Sequence, residues 1–281
     1  MAKRKGRIRR IGGEVWRRLC EHDLMMMAAA ISFYWLLAFI PMLLLGTSTV
    51  GYLLGSSEQA VEEIMRAARR FIPRGTGPDV QLVLRSLIQN RHVTGLVGLG
   101  TLLWFAMGLF EIIISSLTQL SGERETRSYF RRKALALSLI GTVGLLFAAS
   151  LVGSWTLAAW WNLEELIGIR LGLPAFLMDP GFPRLVTSVF MGALLAVIYR
   201  VAPVRGIRWP WAIAGGLFSA FLWHQAKLLF NWYLMHYALH NLFYGILGGF
   251  VGLVLWVFYS AIILLLGGIL ADVLDQNGRR G

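Results

Sequence analysis

Apolar residues run along this chain in long blocks, separated by short clusters of charge. Leu24 to Ser57 carries no charged residue, which predicts a first bilayer-spanning helix over about 28–54. His92 to Phe110 is charge-free and continues past Glu111 to Leu120, giving a second span over about 93–119. Ala134 to Leu163 gives a third, over about 134–161. Leu185 to Tyr199 is short, but Arg184 and Arg200 at its ends can snorkel to opposite interfaces, so a fourth span covers about 182–201. Trp209 to Ala226 continues past Lys227 as a fifth, over about 210–235. The polar stretch His236 to Asn241 then separates a sixth, over about 242–271. Each block meets or approaches the roughly 20 apolar residues a crossing needs.

The segment between the first two spans has a different period. Val61, Ile64, Met65, Ala68 and Ile72 recur at helical spacing, and so do Val80, Val83, Leu84, Leu87 and Ile88. Pro73, Gly75, Gly77 and Pro78 break the two runs. The pattern predicts two amphipathic helices over about 57–90, lying on or capping the outer membrane face as a structural plug or as a lid.

Charge gives an orientation. Lys3, Arg4, Lys5, Arg7, Arg9, Arg10, Arg17 and Arg18 precede the first span, and Arg124, Arg127, Arg131, Arg132 and Lys133 separate the second from the third. Arg200, Arg205 and Arg208 separate the fourth from the fifth, and Arg279 and Arg280 follow the sixth. These alternate segments belong on the cytoplasmic side by the positive-inside rule. The first loop, with Arg66, Arg69, Arg70, Arg74, Arg85 and Arg91, is an exception outweighed by the rest.

Composition agrees: of 281 residues 57% are hydrophobic and 15% charged, against about 25% charged in soluble domains. The net charge of +12 lies between the apolar runs, so anionic lipid headgroups at the cytoplasmic face, not nucleic acid, are the expected partner. Trp16, Leu19 and Cys20 are expected to face lipid, with Arg17 and Arg18 at the headgroups. A single cysteine excludes an internal disulfide and a cysteine-based zinc site. No cleavable signal peptide is expected, because the first apolar run is too long for one.

The expected fold class is therefore all-α: a polytopic membrane protein of six transmembrane helices with an amphipathic helical segment in its first outer loop. Residues 1–27 form a basic cytoplasmic or interfacial segment, 28–271 the transmembrane domain and 272–281 a cytoplasmic tail. A homo-oligomer is compatible with this pattern.

Ionisable residues inside a membrane are costly and mark function or pairing. On span two, Trp104, Gly108, Glu111, Ser115 and Thr118 share a face; on span five, Ala220, His224, Lys227 and Asn231 do. Both stripes are expected to turn inward, and Glu111, Ser115, Thr118, His224, Lys227 and Asn231 form a candidate intramembrane polar path. A hydrated path holding Glu111 and Lys227 fits as well as a direct pair, and a structural ion pair or helix-end anchoring remains the alternative. Asp272 is a candidate helix-end acid. Gly245 with Gly249 and Gly248 with Gly252 form overlapping GxxxG pairs for helix packing, as do Gly141, Gly144 and Ala148 in span three and Ser188, Gly192 and Ala196 in span four. Pro41 is a candidate kink. Gly95, Gly98 and Gly100 lack the Lys and Ser/Thr of a phosphate loop.

Several segments together resemble one known family. Ala28-Ala29-Ala30-Ile31-Ser32-Phe33-Tyr34 followed by Phe39-Ile40-Pro41 is similar to the signature that opens the YihY/BrkB family of bacterial inner-membrane proteins. Pro203, Arg205 and Trp209 resemble its loop before span five. Trp223 through Lys227, Phe230 and Tyr233 resemble span five itself. Tyr244-Gly245, Trp256, Tyr259 and Leu266-Gly267-Gly268 resemble the final span. That family often has Gly-Ala-Glu in the final span; here Ile269 holds the Glu position, and Asp272 lies one turn later on nearly the same face. The resemblance implies a six-span inner-membrane protein with both termini cytoplasmic. Family members have been linked to virulence and serum resistance, to export of lipid or lipid-A precursors and, under an older label, to tRNA-processing ribonuclease activity.

The expectation for function is a transporter or flippase of an amphiphilic, anionic, lipid-like substrate, with a non-catalytic structural or envelope-assembly factor as the alternative. An enzyme is not expected. There is no HExxH motif, carboxylate cluster or nucleophile set within reach of RNA, and no cofactor or metal is called for. His236 and His240, spaced i, i+4, read as interfacial residues.

Overall fold

In a computed structural model of the chain, residues 12–19, 21, 23–53, 57–68, 77–167, 181–233 and 245–280 are described. Among them the fold is all-helical. Helix α1 covers 12–19, followed by α2 (Leu24–Leu53), α3 (Ser57–Ala68), α4 (Gly77–Gln89), α5 (Arg91–Leu120), α6 (Tyr129–Ile167), α7 (Gly181–Val201), α8 (Trp209–Tyr233) and α9 (Gly245–Arg280). Among the described residues four stretches are long and apolar enough to cross a membrane: Leu24–Tyr52, Arg91–Leu120, Tyr129–Ala149 and Phe250–Arg279. The apolar part of α7, Ser188–Val201, is shorter. Helix α8 has the length, but His224, Gln225, Lys227 and Asn231 lower its hydropathy. Helix α2 runs through Pro41 without a break. Helix α9 is 36 residues long and reaches Arg280, so 272–280, expected as a tail, is its last turns.

The chain divides into two compact units. Unit 1 comprises Met1–Leu24, Ile113–Lys227 and Ile262–Gly281; unit 2 comprises Met25–Ile112 and Leu228–Ala261.

In unit 2, α2 and α5 lie antiparallel, and small residues set the register. A Cβ added at Gly95 would meet Ser48 at 3.4 Å, one at Gly98 would meet Leu44 at 3.2 Å, and one at Gly108 would meet the Tyr34 ring at 2.2 Å. The glycines thus seat α2 side chains. The pair is closed at one end by Tyr52 Oη against His92 Nδ1 at 2.6 Å and by Arg91, which donates to the Gly51 carbonyl at 3.0 Å. The expected helices between the first two spans are present as α3 and α4. Their apolar faces meet each other: Val61, Met65, Leu84 and Ile88 form a buried cluster with Val50 of α2 against it. Val83, expected on the apolar face, is exposed. Ile72, Pro73 and Gly75 lie outside the described residues. Phe230, Trp256 and Tyr259 form an aromatic cluster in the same unit.

In unit 1, α7, α8 and α9 are successive antiparallel neighbours drawn together by glycine. A Cβ at Gly216 would sit 2.3 Å from the Gly192 carbonyl oxygen, and one at Gly215 would sit 2.6 Å from that of Gly267. Tyr199 is fully buried between them; its hydroxyl donates to the Leu264 carbonyl at 2.7 Å and lies 2.9 Å from Ser219 Oγ. No polar atom of this knot is left for lipid to satisfy. Expected packing at Gly192 and Ala196 is therefore present, whereas Gly141 and Gly144 face open space and a Cβ at Gly252 would make only an ordinary 3.7 Å contact with Phe230. The packing of Gly245, Gly248 and Gly249 lies outside the described side chains.

Candidate functional site

Two features of unit 1 stand out: a lattice of charge at one end and a cavity far along α7 and α8. The lattice begins where α5 stops. Gly122 adopts φ +72°, Gly122 N–H donates to the Gln119 carbonyl at 2.9 Å and Glu123 N–H to that of Thr118 at 3.2 Å, a Schellman termination. The Leu120 carbonyl left over accepts from Arg18 Nη1 at 3.1 Å. The same guanidinium reaches Asp272 Oδ2 at 2.5 Å and Gln276 Oε1 at 2.9 Å on α9, and Gln276 Nε2 donates to Asp272 at 2.8 Å. Arg18 is 7% exposed, so it is not at the headgroups as expected; a basic residue beside a span pairs inward when a buried carboxylate faces it. Arg17, its neighbour on α1, is exposed and bonds Glu14 at 2.6 Å, the main reason the Glu14 carboxyl is held below its ordinary range.

Five further contacts extend this lattice. Buried Asp275 accepts from Arg208 at 2.6 Å and from Arg279 at 2.7 Å. Arg205 pairs with Glu123 at 3.1 Å. Arg127 donates to the Ala202 and Pro203 carbonyls at 2.8 and 2.7 Å, capping the end of α7 with a cation where its dipole favours one. Several arginines expected at the membrane surface are thus structural ligands. Ile269, where the resemblance implies a Glu, is fully buried, and Asp272 pairs with Arg18.

The cavity, about 210 Å³, is walled by Phe190 and Met191 of α7 and by Ala220, Trp223, His224 and Lys227 of α8, with Ser188 at its edge. The α8 stripe is graded: Ala220 is buried, His224 half-buried, Lys227 and Asn231 exposed. Lys227 lies 19 residues beyond Arg208 (227 − 208), roughly 28 Å along the helix. On α5, Thr118 is buried, Glu111 half-buried, and Ser115 and Trp104 exposed, so neither stripe turns inward along its whole length. Of the candidate polar path, Ser115, Thr118, His224 and Lys227 belong to unit 1, and Glu111 and Asn231 to unit 2. His224 and Lys227 are brought to one cavity. His236 and His240 lie outside the described residues. Among the described residues no group of three or more His, Cys, Asp or Glu side chains is gathered as a metal site requires.

Long apolar helices packed through glycine define a polytopic helical membrane protein. The chain belongs to the virulence factor BrkB family, whose profile matches residues 15–281. It is 26% identical over 267 residues to a UPF0761 membrane protein of Tolumonas auensis, covering 93% of this chain and 84% of that one. It is 23% identical to the ribonuclease-like protein YfkH of Bacillus subtilis, over 94% of each chain. A UPF0761 membrane protein of Haemophilus influenzae is 22% identical over 94% of this chain and 95% of its own. No solved structure matches the chain significantly.

Proposed function

We propose that the protein is a transporter of the flippase type for an anionic amphiphile, crossing the bacterial inner membrane six times with both termini in the cytoplasm. The cavity on α7 and α8 carries this reading. It sets the imidazole of His224 and the ammonium of Lys227 beside the apolar walls of Phe190, Met191 and Ala220, and so matches a molecule with an anionic head and an apolar body. Its depth supports the same reading. Exposed Trp16, Tyr129, Phe130 and Trp209 gather with the arginine lattice, as aromatic and basic residues do at a membrane–water boundary. Counted from that boundary, Lys227 stands close to the far side of a hydrocarbon core about 30 Å thick. A lysine there snorkels to a headgroup at little cost. The α3–α4 pair, on this topology, covers the outer face between the first two spans.

The test is reconstitution into liposomes with a fluorescent anionic phospholipid and, separately, a zwitterionic one. The expected result is accelerated movement of the anionic probe, with Lys227→Met slowing it at least ten-fold and Lys227→Arg retaining it. Movement no faster than in protein-free liposomes, or a fully active Lys227→Met, overturns the proposal. A Lys227→Met protein that fails to accumulate, with no separable transport defect, would favour the assembly-factor reading.

A further inference from the structure

We propose that α1 is a releasable strap, clamped over the ends of α5 and α9 through Arg18. Burial along the helix supports this. Of residues 12–19, Arg18 is the one that is buried; Val15 and Leu19 are half-buried and Trp16 is 69% exposed. A helix docked for good presents an apolar stripe to its neighbour. In its described residues this one presents a buried guanidinium flanked by two apolar side chains, Val15 and Leu19, that are only half-buried.

Its ligands come from two other helices: the Leu120 carbonyl that ends α5, and Asp272 with Gln276 on α9. Such an attachment is directional. A buried ion pair is a poor source of net stability compared with apolar packing of equal volume, and its best-attested use is in registry and switching. It also breaks as a unit, because each of the three contacts depends on the position of one side chain. Gly12 and Gly13, the first described residues of the helix, lie in open space, and Glu14 pairs with Arg17 and with the outer edge of Arg18. Release would uncover a carboxylate, an amide and a helix-terminal carbonyl at the charged end of unit 1, giving that end a closed and an open state. This inference does not depend on the transport reading.

Hydrogen exchange measured by mass spectrometry on the full chain in nanodiscs tests it. In the unmodified protein, amides of 12–19 should exchange at least ten-fold faster than those of 262–271, since the strap opens while the core of α9 stays closed. Arg18→Gln and Asp272→Asn should each raise exchange at 12–19 by at least a further ten-fold and leave 262–271 unchanged. Arg17→Gln, on the exposed side of the same helix, should leave both segments as they are. Equal protection of the two segments in the unmodified protein would overturn the strap. So would joint loss of protection in the variants, which would make the pair a fixed strut, or unchanged exchange at 12–19 in both.

Discussion

Gly216 offers the sharpest test of how unit 1 is held together. Replacing it with alanine places a Cβ 2.3 Å from the Gly192 carbonyl oxygen, 3.0 Å from Ala196 N and 3.1 Å from Ala196 Cβ. Two of these are backbone atoms, which cannot turn aside as a side-chain end can. An ordinary carbon–oxygen contact is about 3.3 Å or longer, so α7 and α8 must part by roughly 1 Å. A gap of that size forfeits a quarter to a half of the dispersion attraction along the interface. Overpacking of this kind costs about 1–3 kcal/mol, and the gain of up to about 1 kcal/mol from replacing glycine in a helix offsets only part of it. Gly141→Ala on α6 is the control: nothing lies within 4 Å of its Cβ, so only the favourable helix term applies. Gly267→Ala should be at least as damaging as Gly216→Ala, because its Cβ would fall 1.8 Å from Ser219 Oγ and 2.6 Å from the Tyr199 hydroxyl. The assay is the midpoint of thermal or SDS-induced unfolding in mild detergent. Gly216→Ala and Gly267→Ala should lower it, and Gly141→Ala should leave it unchanged or raise it. If Gly216→Ala and Gly141→Ala move the midpoint in the same direction, the close approach of α7 and α8 is wrong.

Other expectations follow from the charged end and from the α3–α4 pair. Removing Arg208 alone leaves Asp275 paired with Arg279, so Arg208→Ala and Arg279→Ala should each be mild, whereas the double variant strands a buried carboxylate and should cost about 3–5 kcal/mol, well above the sum, in a double-mutant cycle of unfolding midpoints. Ile88, fully buried and 3.0 Å from a Cβ built at Gly51, should cost about 2–5 kcal/mol as Ile88→Ala, read as lost exchange protection across α3 and α4. Leu82→Ser on the exposed side of α4 should stay within about 0.5 kcal/mol, and an equal effect of the two would mean that the helices do not pack through that face.

Much of the helical skeleton was legible because period and length are local properties. The spacing that marked Val61, Met65, Leu84 and Ile88 marks the residues that are buried, and the charge-free blocks mark α2 and α5 to within a few residues. Val83 shows the limit: spacing gives a face about 100° wide, and the edge of that face is decided by what packs on it. The glycine motifs show a second limit. A small-xxx-small pattern says that a backbone can be approached and not by what, so Gly252 and Gly192 read alike although a Cβ at the first would make an ordinary 3.7 Å contact and one at the second a tighter 3.3 Å contact. The arginines show a third. Arg17 and Arg18 are neighbours in a basic run and look interchangeable, yet Arg18 meets a carboxylate 254 residues away, a pairing that no local period carries. The available signal lay on α9. Asp272 and Asp275 follow the apolar part of α9, and two buried carboxylates there require cationic partners.

That requirement explains why unit 1 combines glycine contacts with buried charge. Between helices in lipid there is little hydrophobic drive to associate, since the tails are as apolar as leucine. Close backbone approach at Gly192, Gly215, Gly216 and Gly267 supplies dispersion, and the Tyr199 hydroxyl, bonded to Ser219 and Leu264, fixes the register at which those contacts occur. Neither device works at the charged end, where helices terminate and their last carbonyls need donors. Arginine fits that task because one planar side chain can satisfy a carbonyl and a carboxylate together, as Arg18 does for Leu120 and Asp272, and Arg208 for the side chain and carbonyl of Asp275. Lysine, a point charge with no fixed fork, would hold one partner and leave the other exposed to exchange. Arg18→Lys should therefore keep α1 attached yet shorten its closed lifetime, a smaller gain in exchange at 12–19 than Arg18→Gln gives, and equal gains would show that charge alone, without the fork, makes the clamp.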